Sequence, residues 1–216
     1  MELRKQKIYK KVFDMACADL VRLDIREKTG DAGVCFSGKD HGVAIEVPFF
    51  DEIITVEMPG FSFRSSKSAT VSLVMKIVIL HYLVRASGIP LADDRISYED
   101  IPGTRSYLPV FEARVTKPLV SAFGYNKDAF LESGLAMGGK REEFGNASFT
   151  FYAFPRVPIT FILWEGDEEF RPSVKTLFNP SISGYLFLED ISVISRLAAA
   201  RVIKAARMKY AYEMTE

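Results

Sequence analysis

Four carboxylates fall within five residues of the stretch WEGDEEF (164–170): Glu165, Asp167, Glu168 and Glu169. Side chains of this type at this density offer two chemistries. Carboxylate oxygens are preferred ligands of hard cations, so the group could hold Mg²⁺ or Mn²⁺ and support a metal-assisted reaction. Close carboxylates also split their pKa values and can work as an acid–base pair. The spacing lacks the D-x-[DN]-x-[DN]-G order of a calcium loop, and no histidine stands beside it. The plainer reading is a solvated turn whose charges end a strand and discourage sheets from pairing edge to edge. Phe170 and Pro172 return the chain at once to apolar surroundings, which gives the turn a defined shape.

The remaining chemistry-bearing residues are sparse. There are two histidines. His41 lies in GKDHG, a turn, next to Asp40; His81 lies in an apolar segment with Arg85 one helical turn on, as a hydrogen-bonded core histidine would. General acid–base work through histidine therefore has little support. Cys17 and Cys35 have no activating neighbour in the sequence and read as small hydrophobes. No G-x-S-x-G elbow is present, and Gly138, Gly139 and Lys140 lack the rest of a phosphate-binding loop. Arg4, Lys5, Lys7, Lys10 and Lys11, like Arg201, Lys204, Arg207 and Lys209, read as solvated helix faces. No aromatic interleaving turns them into a nucleic-acid surface.

Whatever the acidic stretch does, a strand must deliver it. ASFTFYAF and VPITFILW are two strong strand patterns separated by Pro155 and Arg156. In the second, Val157, Ile159, Phe161 and Leu163 load one face while Ile162 and Trp164 load the other, so the strand is covered on both sides and central. Glu165 is then where that strand surfaces. Phe149, Phe151, Tyr152 and Trp164 could wall a pocket for a flat or apolar group, with Glu165 and Arg156 orienting it; the same aromatics could equally form plain core.

Around this hairpin the pattern predicts an α+β fold, a mainly antiparallel sheet packed with helices. Residues 3–27 repeat apolar side chains at helical spacing, with Gly30 as the stop. AGVCFS, VAIEV, IITVEM and FSFR, broken by turn-forming GKDHG, PFFDE and PG, predict an antiparallel meander of three or four strands. Residues 67–87 are apolar almost all round and predict a buried central helix. ISYEDIPG reads as an extended piece entering a tight turn, 105–137 as helix in two or three pieces broken at Pro118, and GGKREEFGN as a loop. A long helix closes the chain from Glu189.

At 216 residues, 48% apolar and 26% charged, the chain is expected to be one domain, 1–216. Its consecutive parts are a helix plus meander (1–65), a helical middle (66–140) and a β-hairpin with the closing helix (141–216). Twenty-eight basic residues cancel 28 acidic ones, which gives no global reason to favour nucleic acid or a membrane surface. Two cysteines build no disulfide framework and no C-x-x-C metal site. No signal segment or clean apolar span is visible, so a reduced, cytoplasmic setting is expected.

The succession LHYLVRASGIPL, ISYEDIPG, FPRVPI, WEGDEEF, LFNPSI and YLFLEDI, over residues 79–194, resembles an uncharacterised prokaryotic domain-of-unknown-function family found mainly in anaerobic bacteria and archaea. The resemblance implies no established activity. Some relatives carry a cysteine-rich segment suited to an iron–sulfur cluster, which this chain does not have. Relatives often place an acidic residue where this chain has Asn179, which weakens any metal site spanning that position and the acidic turn. The company of iron–sulfur proteins implies an anaerobic redox or corrinoid setting.

The expected function is a ligand-binding or accessory module without turnover of its own, its cofactor undetermined, with Trp164, Glu165, Arg156 and Tyr152 as the contacts. The alternatives are a protein–protein adaptor working through the terminal helices, and a Mg²⁺- or Mn²⁺-assisted enzyme using Glu165, Asp167, Glu168 and Glu169. Neither nucleic acid nor a membrane is an expected partner.

Overall fold

The structure, a computed structural model, describes residues 2–39, 42–68 and 70–213. The expected turn around His41 and Asp40 lies outside the described residues. The fold is α+β, with two antiparallel sheets and a long closing helix. Packing divides the chain into two compact units, neither of them a consecutive stretch: 1–91, 154–156 and 181–190 form one, and 92–153, 157–180 and 191–216 the other.

In the first unit the helix expected over 3–27 is two helices, α1 (Glu2–Val21) and α2 (Ile25–Ala32). The reason is local. The Asp24 carboxylate accepts the backbone N–H groups of Arg26 and Glu27, which starts a new helix. Gly33, at φ 67°, ends it in the left-handed conformation, and Gly30 lies inside α2. The meander forms as strands β1 (Cys35–Lys39), β2 (Gly42–Phe49), β3 (Glu52–Met58) and β4 (Ser62–Ser65), in sequential order. Ile45 pairs with Val56, and Val47 with Ile54, so the buried positions of the two strands share one face. Helix α3 (Leu73–Arg85) is shorter than the apolar segment that predicted it. Ser72 caps its first turn by accepting the Met75 N–H. Ile77, Val78, Ile79, Leu80, Tyr82 and Leu83 are all buried.

The second unit holds most of a five-stranded sheet. Its strands are β5 (Ile96–Ser97), β6 (Lys140–Glu142), β7 (Ala147–Phe154), β8 (Val157–Trp164) and β9 (Ser173–Phe178), in the order β5-β9-β8-β7-β6. Strand β8 is central, as its two apolar faces require. Two strands were not anticipated. GGKREEFGN contributes β6, and SVKTLF contributes β9, whose buried Val174, Thr176 and Phe178 alternate with more exposed neighbours. Between the sheet's strands run α4 (Leu108–Phe111), a π-helical turn (Glu112–Thr116), α5 (Lys117–Phe123) and α6 (Lys127–Ala136). Pro118 stands in the first turn of α5, directly after the π turn. Rings from α5, α6 and the sheet form one aromatic core. Phe130 touches both Phe123 and Phe149, and Phe161 packs on Phe149 and Phe151. The closing helix is α7 (Leu188–Glu213), with Ile191, Ile194, Ala198 and Val202 buried. Among the described residues no helix is long and apolar enough to cross a membrane.

Candidate functional site: an aromatic cleft along a sheet edge

Strand β5 is only two residues long and pairs with Phe178 and Leu177 of β9. Residues 173–176 of β9 therefore have β8 on one side and, among the described residues, no strand on the other. Backbone groups along such an edge remain open to a partner. Across from this edge stand the chain just after β5, α4 and the π turn. The result is a cleft of about 300 Å³. Its floor is Tyr98 stacked on Phe111, with centroids 3.9 Å apart and planes 15° from parallel. Trp164 forms part of its lip and is 40% exposed. Glu99, Glu112, Lys175 and Thr176 supply its polar groups.

The electrostatics of the cleft lean negative. Glu99 pairs with Lys175 at 4.0 Å, the loose limit of an ion pair. Glu112 sits on the π turn and has no ion-pair or hydrogen-bond partner among the described residues. Burial raises the Tyr98 phenol above its ordinary value, reinforced by Tyr107 and opposed by a hydrogen bond with Ser192, so it stays neutral. Thr176 is 4% exposed. Its Oγ1 is buried with no hydrogen-bond partner. A buried hydroxyl without a partner is costly.

The residues predicted from sequence are dispersed by the pleat. The rings of Phe149 and Phe151 meet Phe161 on one face. Thr150 and Thr160, 2.7 Å apart, mark the other. Tyr152, two positions from Thr150, lies on that second face and is 44% exposed, so it cannot join Phe149 and Phe151 in one pocket. Trp164 ends β8, whereas Arg156 lies in the turn that precedes it; at about 3.3 Å per residue the ends of this eight-residue strand are about 25 Å apart. Trp164 alone of the predicted contacts lines the cleft.

Two carboxylates of the acidic stretch are engaged separately, Glu165 by the start of α6 and Asp167 within its own turn. Glu165 accepts the backbone N–H of Lys127 at 2.9 Å and faces its ammonium at 3.5 Å, while its own N–H donates to Asn146. Asp167 accepts the N–H groups of Phe170 and Glu169, and these bonds hold its carboxyl below the usual carboxylate range. Glu168 and Glu169 are exposed. Among the described residues no group of three or more metal-ligating side chains converges. Asn179 is 6% exposed and clasps Ala92 from both sides of its amide, accepting the N–H and donating to the carbonyl. A carboxylate at that position could not donate, so the asparagine has a structural reason of its own.

Sequence reasoning missed a polar pair in the first unit. His81 Nδ1 lies 2.8 Å from Asp190 Oδ2, a partner 109 residues away. The His81 ring meets Phe187 edge-on, and the Arg85 guanidinium lies 4.5 Å from the centre of the same ring while donating to the Ser183 carbonyl. Tyr98, Glu112 and Thr176 were missed as well. Only the alternation in SVKTLF signalled any of them.

Together these features define an α+β protein with a small, aromatic-floored cleft. The chain belongs to the family described as a domain of unknown function, DUF3786, whose model matches residues 24–201. No curated protein and no solved structure matches it.

Proposed function

We propose that this protein is a ligand-binding or accessory module whose ligand occupies the cleft between the edge of β9 and the π turn. The observation that carries the reading is the cleft itself, an edge of β9 that β5 leaves unpaired, facing the stacked rings of Tyr98 and Phe111. A volume of about 300 Å³ is at the lower end for small-molecule sites and suits a compact molecule or one arm of a larger cofactor. Short π-helical turns are frequent at functional sites, which supports the same place. The wider setting in this proposal is the cytoplasm of an anaerobic prokaryote and its redox or corrinoid metabolism. A corrinoid could present only a side arm to a cleft of this size.

Trp164 is the only tryptophan of the chain, so its emission reports on the cleft directly. Corrinoid, flavin, nucleotide and folate probes would be added while this emission and the thermal midpoint are followed. A binder shifts both. An unchanged emission and midpoint across the panel would count against the reading. An adaptor role is the second reading, favoured by the large apolar side chains of α1 that face solvent: Ile8, Tyr9, Met15 and Val21. Sedimentation with and without an α1 variant carrying Ile8→Ser and Met15→Ser tests whether this face mediates self-association.

A further inference from the structure

Helix α3 carries a reactive group that the cleft does not use. His81 Nδ1 meets Asp190, in the first turn of α7, and both residues belong to the first unit. Asp190 is 5% exposed, and the imidazole is its only side-chain partner among the described residues. A carboxylate only accepts, so the ring hydrogen of this bond sits on Nδ1. The neutral ring then carries its lone pair on Nε2. That nitrogen has no hydrogen-bond partner among the described residues, yet it is not sealed from solvent. Phe187 meets the ring edge-on. Arg85, one helical turn on, lies with its guanidinium over the same phenyl ring. One terminal nitrogen of that guanidinium is spent on the Ser183 carbonyl. The other has no partner among the described residues and is likewise open to solvent.

We propose that His81 is a nucleophile that accepts a phosphoryl group from a small phosphoramidate or acyl phosphate. No hydroxyl or thiol is hydrogen-bonded to Nε2, so the imidazole has no second nucleophile to activate and attacks in its own right. Nε2 gives its lone pair to phosphorus and the N–P bond forms. The donor's bond to phosphorus breaks, and its amine or carboxylate leaves with the electron pair. The ring becomes an imidazolium whose charge Asp190 balances until the Nδ1 proton is lost. Arg85 offers its free N–H groups to the phosphoryl oxygens, a charge-assisted contact that the planar guanidinium suits.

The test incubates the full chain with potassium phosphoramidate and follows the added phosphoryl group by peptide mass mapping and phosphorus NMR. The chain has two histidines, so His41 serves as the internal reference. His81 is expected to be labelled on Nε2 about tenfold faster than His41, the scale on which a carboxylate behind a histidine acts, and unfolding in urea should remove the difference. Nitrogen NMR of the neutral ring should place its proton on Nδ1. Asp190→Asn, with the fold checked by circular dichroism, should slow labelling about tenfold, because an amide balances no charge. Arg85→Gln should slow it about tenfold and leave carbethoxylation of His81 by diethyl pyrocarbonate, an uncharged reagent, at its original rate. Labelling of His81 no faster than that of His41, or a proton found on Nε2, would overturn the nucleophile. An unchanged rate in Asp190→Asn would overturn the part given to that carboxylate. Equal losses toward both reagents in Arg85→Gln would overturn the phosphoryl assignment.

Discussion

The two thiols of this chain differ in what surrounds them. Cys35 is exposed on β1, whereas Cys17 is partly covered on α1. Burial, with the Asp14 carboxylate adding to it, pushes the Cys17 thiol up to about 11. Only the thiolate is nucleophilic, so iodoacetamide at neutral pH should modify Cys35 well before Cys17, as peptide mass mapping over a time course would show. Equal rates would mean that Cys17 is not enclosed as described. Asp167 offers a second check at this scale. Its carboxylate holds the N–H groups of Glu169 and Phe170, so Asp167→Ala should speed amide exchange at those two residues and leave β8 unchanged. Because the folded pKa is lowered, the wild-type turn keeps these bonds above the usual carboxylate value and loses them as pH falls through the lowered one.

Among the elements, α6 makes the sharpest demand. A Cβ at Gly134 would lie 2.4 Å from the ring of Phe149. In a free helix Gly→Ala is worth about 1 kcal/mol of stability. Here the clash should reverse the sign, and urea unfolding of Gly134→Ala is expected to show a loss of about 1–3 kcal/mol. A gain would mean that α6 does not press on the sheet at this point. The short β5 belongs to the same scale. Because it pairs with only two residues of β9, the rest of that edge is left for the cleft.

At the scale of the whole molecule, Tyr82 joins several parts of the first unit. Its ring stacks on Phe154 at 4.2 Å and 6°, its hydroxyl donates to the Ala32 carbonyl, and the Arg156 N–H donates to that hydroxyl. Burial raises its phenol far above the ordinary value of 10.0. The folded chain therefore holds this proton more tightly than the unfolded chain does. That contribution is complete below about pH 10, the unfolded value, and is lost as pH rises beyond it. Cys17 acts in the same direction, beginning near its ordinary 9.0. Tyr82→Phe should cost about 1 kcal/mol at pH 7 through its lost hydrogen bonds and should flatten the alkaline decline. Thermal midpoints from pH 7 to about 11 distinguish this from a purely packing role, which would lower the whole curve in parallel.

The amino-acid sequence by itself determined the α+β class, the meander, the buried helix, the central position of β8 and the closing helix. Each of these is set by local spacing of apolar residues, which survives in any fold that buries them. It also carried the acidic stretch as a shaped turn, and it singled out Trp164, which lines the cleft. Tertiary structure decided the rest. Asp24 split the first helix through a cap that periodicity does not register. The pleat sent Tyr152 away from Phe149 and Phe151, because neighbours in sequence point to opposite faces. His81 found Asp190 109 residues on, and Tyr98, Glu112 and Thr176 came together from three separate segments. A cleft is a relation between distant residues, and local pattern holds no record of which edges a short strand leaves open.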